Sequence, residues 1–169
     1  MRSALRAYAL DTCDPAEVLA KLDRKMQHFE PDALATVLYA VTEPGLGQMH
    51  MALAGHFPPV IARPGEAAVL ADVQPGSMIG MGLRARRPVR TLPVPPGALL
   101  CFFTDGLVER RDEVIDDGLA RLCQAVTAQP AEAACAAVMG ALVGNEPTRD
   151  DIALLIVRRQ DEVESDADA

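Results

Sequence analysis

The hydrophobic residues at the start of the chain recur at the spacing of an α-helix. The pattern predicts a helix over residues 1–10, although no Ser, Thr, Asp or Asn precedes it to cap its first N–H groups. A second helix is predicted from Pro15 to near Pro31, because Asp14 can cap its first turn and proline suits the first helical position. Its predicted buried face consists of Val18, Leu19, Leu22, Met26 and Phe29.

Two apolar runs joined by turn residues predict a β-hairpin. Residues 33–41 are rich in β-branched and aromatic types, and residues 42–47 (TEPGLG) supply a turn before a second extended run. In that second run Met49, Met51 and Leu53 alternate with other residues, so one buried face is expected. Further short strands are predicted at 60–63, 67–71 and 89–94, with an irregular loop over 74–88.

The most apolar strand of the chain is expected at residues 98–103 (ALLCFF). No polar residue interrupts this run, which predicts burial on both faces, and it ends directly at Thr104-Asp105-Gly106. Two helices over about 118–128 and 130–143 and a last buried strand over 152–157 complete the pattern. We therefore predict one α+β domain over residues 1–159 and a disordered acidic tail at residues 160–169.

Composition narrows the classes of partner that this domain can have. The 169-residue chain carries 16 Lys and Arg against 24 Asp and Glu, and a net charge of -8 does not attract nucleic acid or a membrane surface. No run approaches the ~20 apolar residues of a membrane span. The four cysteines form no CxxC pair, so neither a zinc site nor a disulfide framework is expected, and we expect a reduced, cytoplasmic protein.

Carboxylates stand at the ends of two strands that are otherwise wholly apolar. Asp105 directly follows the first strand, and Asp150 and Asp151 directly precede the second. If these strands are antiparallel neighbours, Asp105 faces one of the other two acids across a sheet edge, at a strand spacing of roughly 5 Å. Carboxylates this close repel unless a cation lies between them, and oxygen ligands without Cys or His suit Mg²⁺ or Mn²⁺. The alternative is that Asp105 starts a turn with Gly106 while the other acids end a strand at the surface.

Four segments of the chain together resemble the bacterial PPM (PP2C) class of metal-dependent serine/threonine phosphatases, in its sporulation stage II protein E (SpoIIE) and RsbU-like branch. Their order and spacing match that family over nearly the whole chain. The matching segments are LATVLYAV at 34–41 with Pro44, AGH at 54–56 with PP at 58–59, FTDGLVE at 103–109 and RDDIALL at 149–155.

The resemblance implies both a fold and a metal site. The fold is an α/β-β/α sandwich of two antiparallel sheets flanked by helices, with the metals at one end. In that family the aspartate of the TDG motif and the first aspartate of the final DD or DN motif bind a catalytic pair of Mg²⁺ or Mn²⁺ ions. These positions correspond to Asp105 and Asp150, with Asp151 a further candidate beside them. The resemblance places turn residues near the site at Gly55, His56 and Gly106.

The family's other metal-binding aspartates have no counterpart in this sequence. They lie in a Gly-Asp and an Asp-x-x-Gly-His-Gly segment that precede the helix corresponding to residues 1–10, and the uncapped start of that helix agrees with their absence. We therefore expect an incomplete front of the domain, the chain being a fragment, a mis-started reading frame or a degenerate paralogue. Apolar surface left at residues 1–10 would then favour a homodimer or aggregation.

The basic and imidazole groups of the loops have two interpretations each. Arg84, Arg86 and Arg87 belong to the one basic cluster of the sequence and could bind the phosphate or acidic flank of a phosphoprotein, although a solvated loop is favoured. His56 could donate a proton near the site, but a histidine before Phe-Pro-Pro more often bonds its own backbone and orders the turn.

Two functions are compatible with these features. The first is a phosphatase that hydrolyses phosphoserine or phosphothreonine by a water held between two divalent cations, without a phosphoenzyme. The resemblance implies a phosphorylated regulatory protein, of the anti-sigma-factor antagonist type, as its substrate. The second is a catalytically inactive remnant that binds a regulatory partner through the same scaffold. The missing aspartates favour the remnant, whereas Asp105 and Asp150 on intact strand patterns favour the enzyme.

Overall fold

In the part of the chain that the structure describes, the strands form two antiparallel sheets, accompanied by four α-helices. The computed structural model describes residues 1–82, 87–110, 113–143 and 151–160. Its helices are α1 (Arg2–Asp11), α2 (Pro15–Phe29), α3 (Ile115–Ala125) and α4 (Ala131–Leu142). Its strands are β1 (Val37–Thr42), β2 (Gln48–Ala54), β3 (Val60–Ala62), β4 (Val69–Leu70), β5 (Arg90–Pro93), β6 (Leu99–Phe103) and β7 (Leu154–Arg158). This arrangement confirms the α+β class that the sequence predicts. None of the helices in the described residues has the length and hydrophobicity needed to cross a membrane.

The first of two compact units comprises Met1–Pro59 and Leu70–Pro93. Its sheet has the strand order β1-β2-β5, and β1 and β2 form the predicted hairpin. The expectation of one buried face on β2 is wrong, because Ala52 and Ala54 are as buried as Met51 and Leu53. The two alanines pack in a cluster with α2. Because alanine is common on both buried and exposed faces of strands, these residues do not predict a second buried face.

α2 begins as the sequence predicts. The Asp14 carboxylate accepts a hydrogen bond from the Ala16 amide at 2.9 Å, and Pro15 occupies the first turn. The predicted buried face is correct except at Phe29, which is 70% exposed at the last residue of the helix. The residues of α2 that join the hydrophobic cluster with β2 are Leu19, Leu22 and Met26.

α1 has no side-chain cap at its start, as the sequence predicts. Leu5 and Tyr8 are partly buried against the hydrophobic cluster of α2 and β2, but no residue of α1 is fully buried. Leu10 is 90% exposed, and Leu34 on the segment before β1 is 59% exposed. The first unit therefore carries exposed large apolar side chains, of which Leu10 lies on α1, and the dimerisation or aggregation expected from such surface stays a prediction.

The second unit comprises Val60–Val69 and the described residues of Val94–Ala169. Its sheet has the strand order β4-β3-β6-β7, and β6 pairs antiparallel with both β3 and β7. Leu99, Leu100 and Cys101 have no exposed surface, which confirms burial of β6 on both faces. β7 is an edge strand of the described sheet and its Leu155 is 60% exposed, so the prediction of a wholly buried last strand is wrong.

α3 and α4 pack against each other, and α4 also packs against β7. α3 begins at Ile115, earlier than the predicted start at Gly118, so the glycine lies inside the helix. A β-carbon on Gly118 would overlap the carbonyl oxygen of Val108. Glycine is unfavourable inside a helix, and this close approach of α3 to the chain after β6 explains its presence.

A buried ion pair joins α2 to the segment that precedes β5. Asp23 and Arg87 are only 6% and 4% exposed, and the Arg87 Nη2 atom donates to Asp23 Oδ2 at 3.0 Å. Asp23 Oδ1 also accepts from the Gly80 amide at 2.8 Å and from Gln27 Nε2 at 3.1 Å. The Asp23 carboxylate is therefore surrounded by donors that compensate for its removal from water.

The other hydrogen bonds of Arg87 hold backbone carbonyls of the same segment. Arg87 Nε donates to the Ser77 carbonyl at 3.0 Å, and Nη2 donates to the Met78 carbonyl at 3.1 Å. Because the Arg87 guanidinium is enclosed in this way, it does not face solvent and is not accessible to a phosphoprotein. The interpretation of Arg87 as a phosphoprotein contact or a solvated loop residue is therefore corrected, whereas Arg84 and Arg86 lie outside the described residues.

We predict that Asp23→Ala lowers the free energy of unfolding by about 3–5 kcal/mol, because it leaves the Arg87 charge buried without its partner. Asp23→Leu combined with Arg87→Met should recover only part of that loss, since neither charge then remains but the Gly80 amide and the Ser77 and Met78 carbonyls lose their partners. Urea unfolding of the single and double variants measures both effects. Asp72→Ala is the control, because Asp72 pairs with Arg90 at 2.7 Å on the surface and its loss should cost less than about 1 kcal/mol. Equal losses for the buried and the exposed pair would contradict this account.

The cysteines of the chain differ in their exposure. Cys13 is exposed, whereas burial raises the pKa of the Cys101 thiol from 9.0 to about 12, with Cys123 and Cys135 adding to the shift. The reactive thiolate of Cys101 is therefore disfavoured at every pH below this value.

We predict that iodoacetamide at pH 8 modifies Cys13 rapidly and leaves Cys101 unmodified in the folded protein, as measured by mass spectrometry. Raising the pH toward 9 should still leave Cys101 unmodified, because deprotonation of the buried thiol requires a pH near 12. The same reaction in urea should modify both. Alkylation of native Cys101 as fast as Cys13 would be inconsistent with its burial.

Candidate metal centre

Asp105 lies at the surface, two residues after the end of β6. Thr104 continues the extended backbone after the strand, and Asp105–Leu107 then form one turn of 3-10 helix. The Asp105 carbonyl accepts from the Val108 and Glu109 amides at 2.9 and 2.8 Å, while its Oδ1 accepts from the Gly106 amide at 3.0 Å. Asp105 itself is exposed. The turn that the sequence predicts at Asp105-Gly106 is present, and it holds the carboxylate at the surface end of a buried strand.

The antiparallel pairing required for the acidic site is confirmed. β6 and β7 run antiparallel with Leu99 opposite Arg158 and Phe103 opposite Leu154. The pairing continues one step further, because the Thr104 amide donates to the Ala153 carbonyl at 3.1 Å. The chain leaving β6 toward Asp105 therefore lies beside the chain entering β7.

Thr104 adds side-chain hydrogen bonds at the same place. Its Oγ1 donates to the Asp151 carbonyl at 3.2 Å and accepts from the Ala153 amide at 2.9 Å. Thr104 belongs to the Thr-Asp-Gly motif, but the sequence alone predicts no role for it. The signal that could have found it is a hydroxyl residue at the point where a buried strand ends, since such a group can bond backbone that the strand no longer pairs.

Two of the three candidate ligands lie in the described part of the chain. Asp105 and Asp151 are both exposed at this end of the second sheet, whereas Asp150 lies outside the described residues. Its proximity to Asp105 therefore stays a prediction. Among residues 1–82, 87–110, 113–143 and 151–160, no three His, Cys, Asp or Glu side chains form a metal-binding group.

The donors at this sheet end have the right chemistry for a hard divalent cation. Both described candidates are carboxylates, and exposed carboxylate oxygens are ligands that Mg²⁺ and Mn²⁺ prefer. Their number is smaller than a closed site needs, because Mg²⁺ takes about six ligands, several of them waters. The described carboxylates therefore match such an ion in chemistry but are too few to enclose it, and water would have to supply its remaining ligands.

The turn at Gly55-His56 is ordered by its own backbone. Gly55 has a φ of +66°, its amide donates to the Gly76 carbonyl at 2.8 Å, and a β-carbon there would overlap the Met78 side chain. His56 Nδ1 lies 2.7 Å from the Phe57 carbonyl, and since a carbonyl only accepts, Nδ1 carries the proton of that bond. This geometry supports the interpretation of His56 as a residue that orders the turn.

Asp23 is a buried polar residue that the sequence analysis missed. It is adjacent to Leu22 and lies four residues after Leu19, on the face of α2 that packs into the core. An acid at such a position is a signal for a buried cationic partner, because an unpaired buried carboxylate is costly. The identity of that partner, Arg87, is not visible from the periodicity of α2.

Comparison with known proteins links this architecture to one family. A family profile described as Stage II sporulation protein E (SpoIIE) matches residues 1–160. The RsbU and RsbW domains of Rv1364c from Mycobacterium tuberculosis are similar, with 25% identity and a TM-score of 0.79 over 94% of this chain and 46% of that one. The SiaA-PP2C domain of Pseudomonas aeruginosa shares 23% identity with a TM-score of 0.71, over 93% of this chain and 66% of that domain.

A third solved structure has the same fold at lower identity. It contains the PP2C phosphatase domain of SpoIIE from Bacillus subtilis with a fragment of its regulatory domain, and it shares 18% identity with a TM-score of 0.67. The match covers 94% of this chain and 47% of that one. The chain thus spans less than two thirds of the length of each of these solved structures.

We predict that Mn²⁺ binds beside Asp105, which nuclear magnetic resonance can test because Mn²⁺ broadens the signals of nearby amides. The Gly106 and Ala153 amides should broaden first, since the former bonds the Asp105 carboxylate and the latter bonds Thr104. Asp105→Asn should abolish this selective broadening. Asp116→Asn is the matched control, because it removes one exposed carboxylate of the same unit at the start of α3. Broadening that is unchanged in Asp105→Asn would place the ion elsewhere.

Proposed function

Because the chain belongs to the SpoIIE family of PP2C-type phosphatases, we propose that it forms part of a metal-dependent protein phosphatase that hydrolyses phosphoserine or phosphothreonine. The observation that carries the proposal is the antiparallel register of β6 and β7, which brings Asp105 beside the segment that begins β7. These are the two motif segments to which the family resemblance assigns metal ligands.

In this proposal the carboxylates of Asp105 and Asp150 hold a divalent cation, Mn²⁺ or Mg²⁺, with Asp151 beside them. When bound there, the metal would activate a water molecule for attack on phosphorus and would neutralise charge on the phosphoryl oxygens. Asp105 is suited to bind the cation because it is exposed and its position is set by a backbone turn. No side chain of the chain is proposed as a nucleophile.

The proposed substrate is a phosphorylated regulatory protein of the anti-sigma-factor antagonist type. Two similar structures support this class: one contains RsbU and RsbW domains, and another is described as part of the bacterial stressosome. Arg84 and Arg86 stay candidates for contacts with the phosphoprotein, because the one basic cluster of the sequence includes them.

A second function is favoured by the number of acidic ligands. A centre of two ions needs several carboxylates, both to balance the charge and to hold the ions around one water. The chain offers Asp105, Asp150 and Asp151 at the two strand ends, which suffice for one ion. The alternative proposal is therefore a catalytically inactive module that binds a regulatory partner through the same scaffold.

We predict little Mn²⁺-dependent release of phosphate from a phosphoserine peptide by these 169 residues alone. Turnover should appear in a chimera that joins to residue 1 the Gly-Asp and Asp-x-x-Gly-His-Gly segments of a SpoIIE-family relative, because these add the missing carboxylates. In that chimera Asp105→Asn should reduce turnover at least about 100-fold, whereas Asp116→Asn should leave it within about twofold.

The outcomes separate the two proposed functions. A chimera that folds and binds Mn²⁺ but releases no phosphate favours the binding module. Robust turnover by the chain alone would show that catalysis needs only one ion, or that a two-ion centre needs fewer carboxylates than we assume. Survival of turnover in the chimera with Asp105→Asn would overturn the assignment of Asp105 as a metal ligand.

A further inference from the structure

Thr104 joins the two chain segments that carry the candidate acids. Its amide donates to the Ala153 carbonyl at 3.1 Å, and its Oγ1 accepts from the Ala153 amide at 2.9 Å. The same Oγ1 donates to the Asp151 carbonyl at 3.2 Å. All of these bonds lie beyond Phe103 and Leu154, the last pair of residues in the β6–β7 ladder.

The side chain is needed because the backbone of β6 changes direction at this point. Asp105 begins the 3-10 turn, and its carbonyl bonds the Val108 and Glu109 amides of that turn. The β6 backbone therefore no longer continues the ladder toward Asp151. A hydroxyl can donate and accept at once, so Thr104 Oγ1 bonds both the Asp151 carbonyl and the Ala153 amide in its place.

The position of Thr104 in the chain gives these bonds a consequence for the acids. Thr104 is adjacent to Asp105 in sequence, and the carbonyl that it bonds belongs to Asp151, which is adjacent to Asp150. The two candidate ligands that the structure describes, Asp105 and Asp151, are therefore both tied through their backbone to Thr104. Threonine also restricts its own χ1 angle through β-branching, which limits the directions in which the hydroxyl can point.

We propose that Thr104 is a positioning residue for the acidic site, whose hydroxyl sets the separation between Asp105 and Asp151 and thereby the affinity for the divalent cation. The inference rests on the proposed function for the identity of that cation. Groups that orient metal ligands without touching the metal commonly change metal affinity about 10–100-fold when they are removed.

Thr104→Val and Thr104→Ser form the decisive pair of variants of the full chain. Valine keeps the shape and the β-branch but removes the hydroxyl, whereas serine keeps the hydroxyl. Mn²⁺ affinity is measured from the relaxation of water protons, and exchange of the Ala153 amide is measured in the metal-free protein. We expect Thr104→Val to weaken Mn²⁺ binding about 10-fold or more and to accelerate Ala153 exchange. Thr104→Ser should stay within about threefold of the original protein in both.

A purely structural role for Thr104 predicts a different result. It would lower the unfolding temperature of Thr104→Val but leave the Mn²⁺ affinity of the folded variant unchanged, and that outcome overturns the proposal. Equal weakening in the valine and serine variants would also overturn it, because serine retains the hydroxyl and should then retain the Mn²⁺ affinity. If Thr104→Val is unfolded at the assay temperature, Thr104→Ala removes the same hydroxyl and is judged by the same criteria.

Failure of the proposed function gives a separate pattern. In that case the original protein binds no Mn²⁺, or binds it equally well after Asp105→Asn, and the role of Thr104 in cation affinity fails with it. If Mn²⁺ binding depends on Asp105 but Thr104→Val binds as the original protein does, only the inference about Thr104 fails.

Discussion

The burial of β6 is the constraint on which the second unit and its acidic end depend. Strand residues without exposed surface cannot bond water through their backbone, so their amides and carbonyls must be satisfied by neighbouring strands. β3 and β7 provide those partners, and the register of β7 follows, with Phe103 opposite Leu154. This register brings the segment leaving β6 and the segment entering β7 to the same end of the sheet. The placement of Asp105 and Asp151 at one end of the sheet is thus a result of backbone pairing.

The first unit meets the same requirement with charged side chains. Asp23 lies on the buried face of α2, and its oxygens are bonded by Arg87, Gly80 and Gln27. Arg87 in turn binds carbonyls of the segment that it follows, so one buried pair ties an irregular stretch of chain to a helix. This segment pairs with other backbone at isolated bridges of Gly76 and Ile79, and between them the guanidinium bonds the carbonyls of Ser77 and Met78. Removal of a partner would therefore affect a helix and a loop together.

The function proposed for the chain depends on a small number of carboxylates whose positions are fixed by the fold. A single turn after β6 fixes Asp105, and the Thr104 hydroxyl continues the contact between strands where the backbone turns away. These features belong to the scaffold and are present whether or not the ligand set is complete. An enzyme and an inactive binding module share them, and the two differ in the number of carboxylates around the ions.

Local signals in the sequence determine much of the secondary structure of this protein. The cap and proline of α2, the hairpin of β1 and β2 and the apolar run of β6 predict those elements, because each depends on neighbours within a few residues. The TDG motif likewise predicts the turn that carries Asp105, and two apolar strands flanked by acids suggest their antiparallel pairing. Only the tertiary structure decided the burial of the remaining positions. It exposes Phe29 and Leu155, and it encloses Arg87 by pairing it with Asp23, 64 residues away in sequence. Partners so distant in the chain leave no periodic signal, because their contact depends on how whole elements pack.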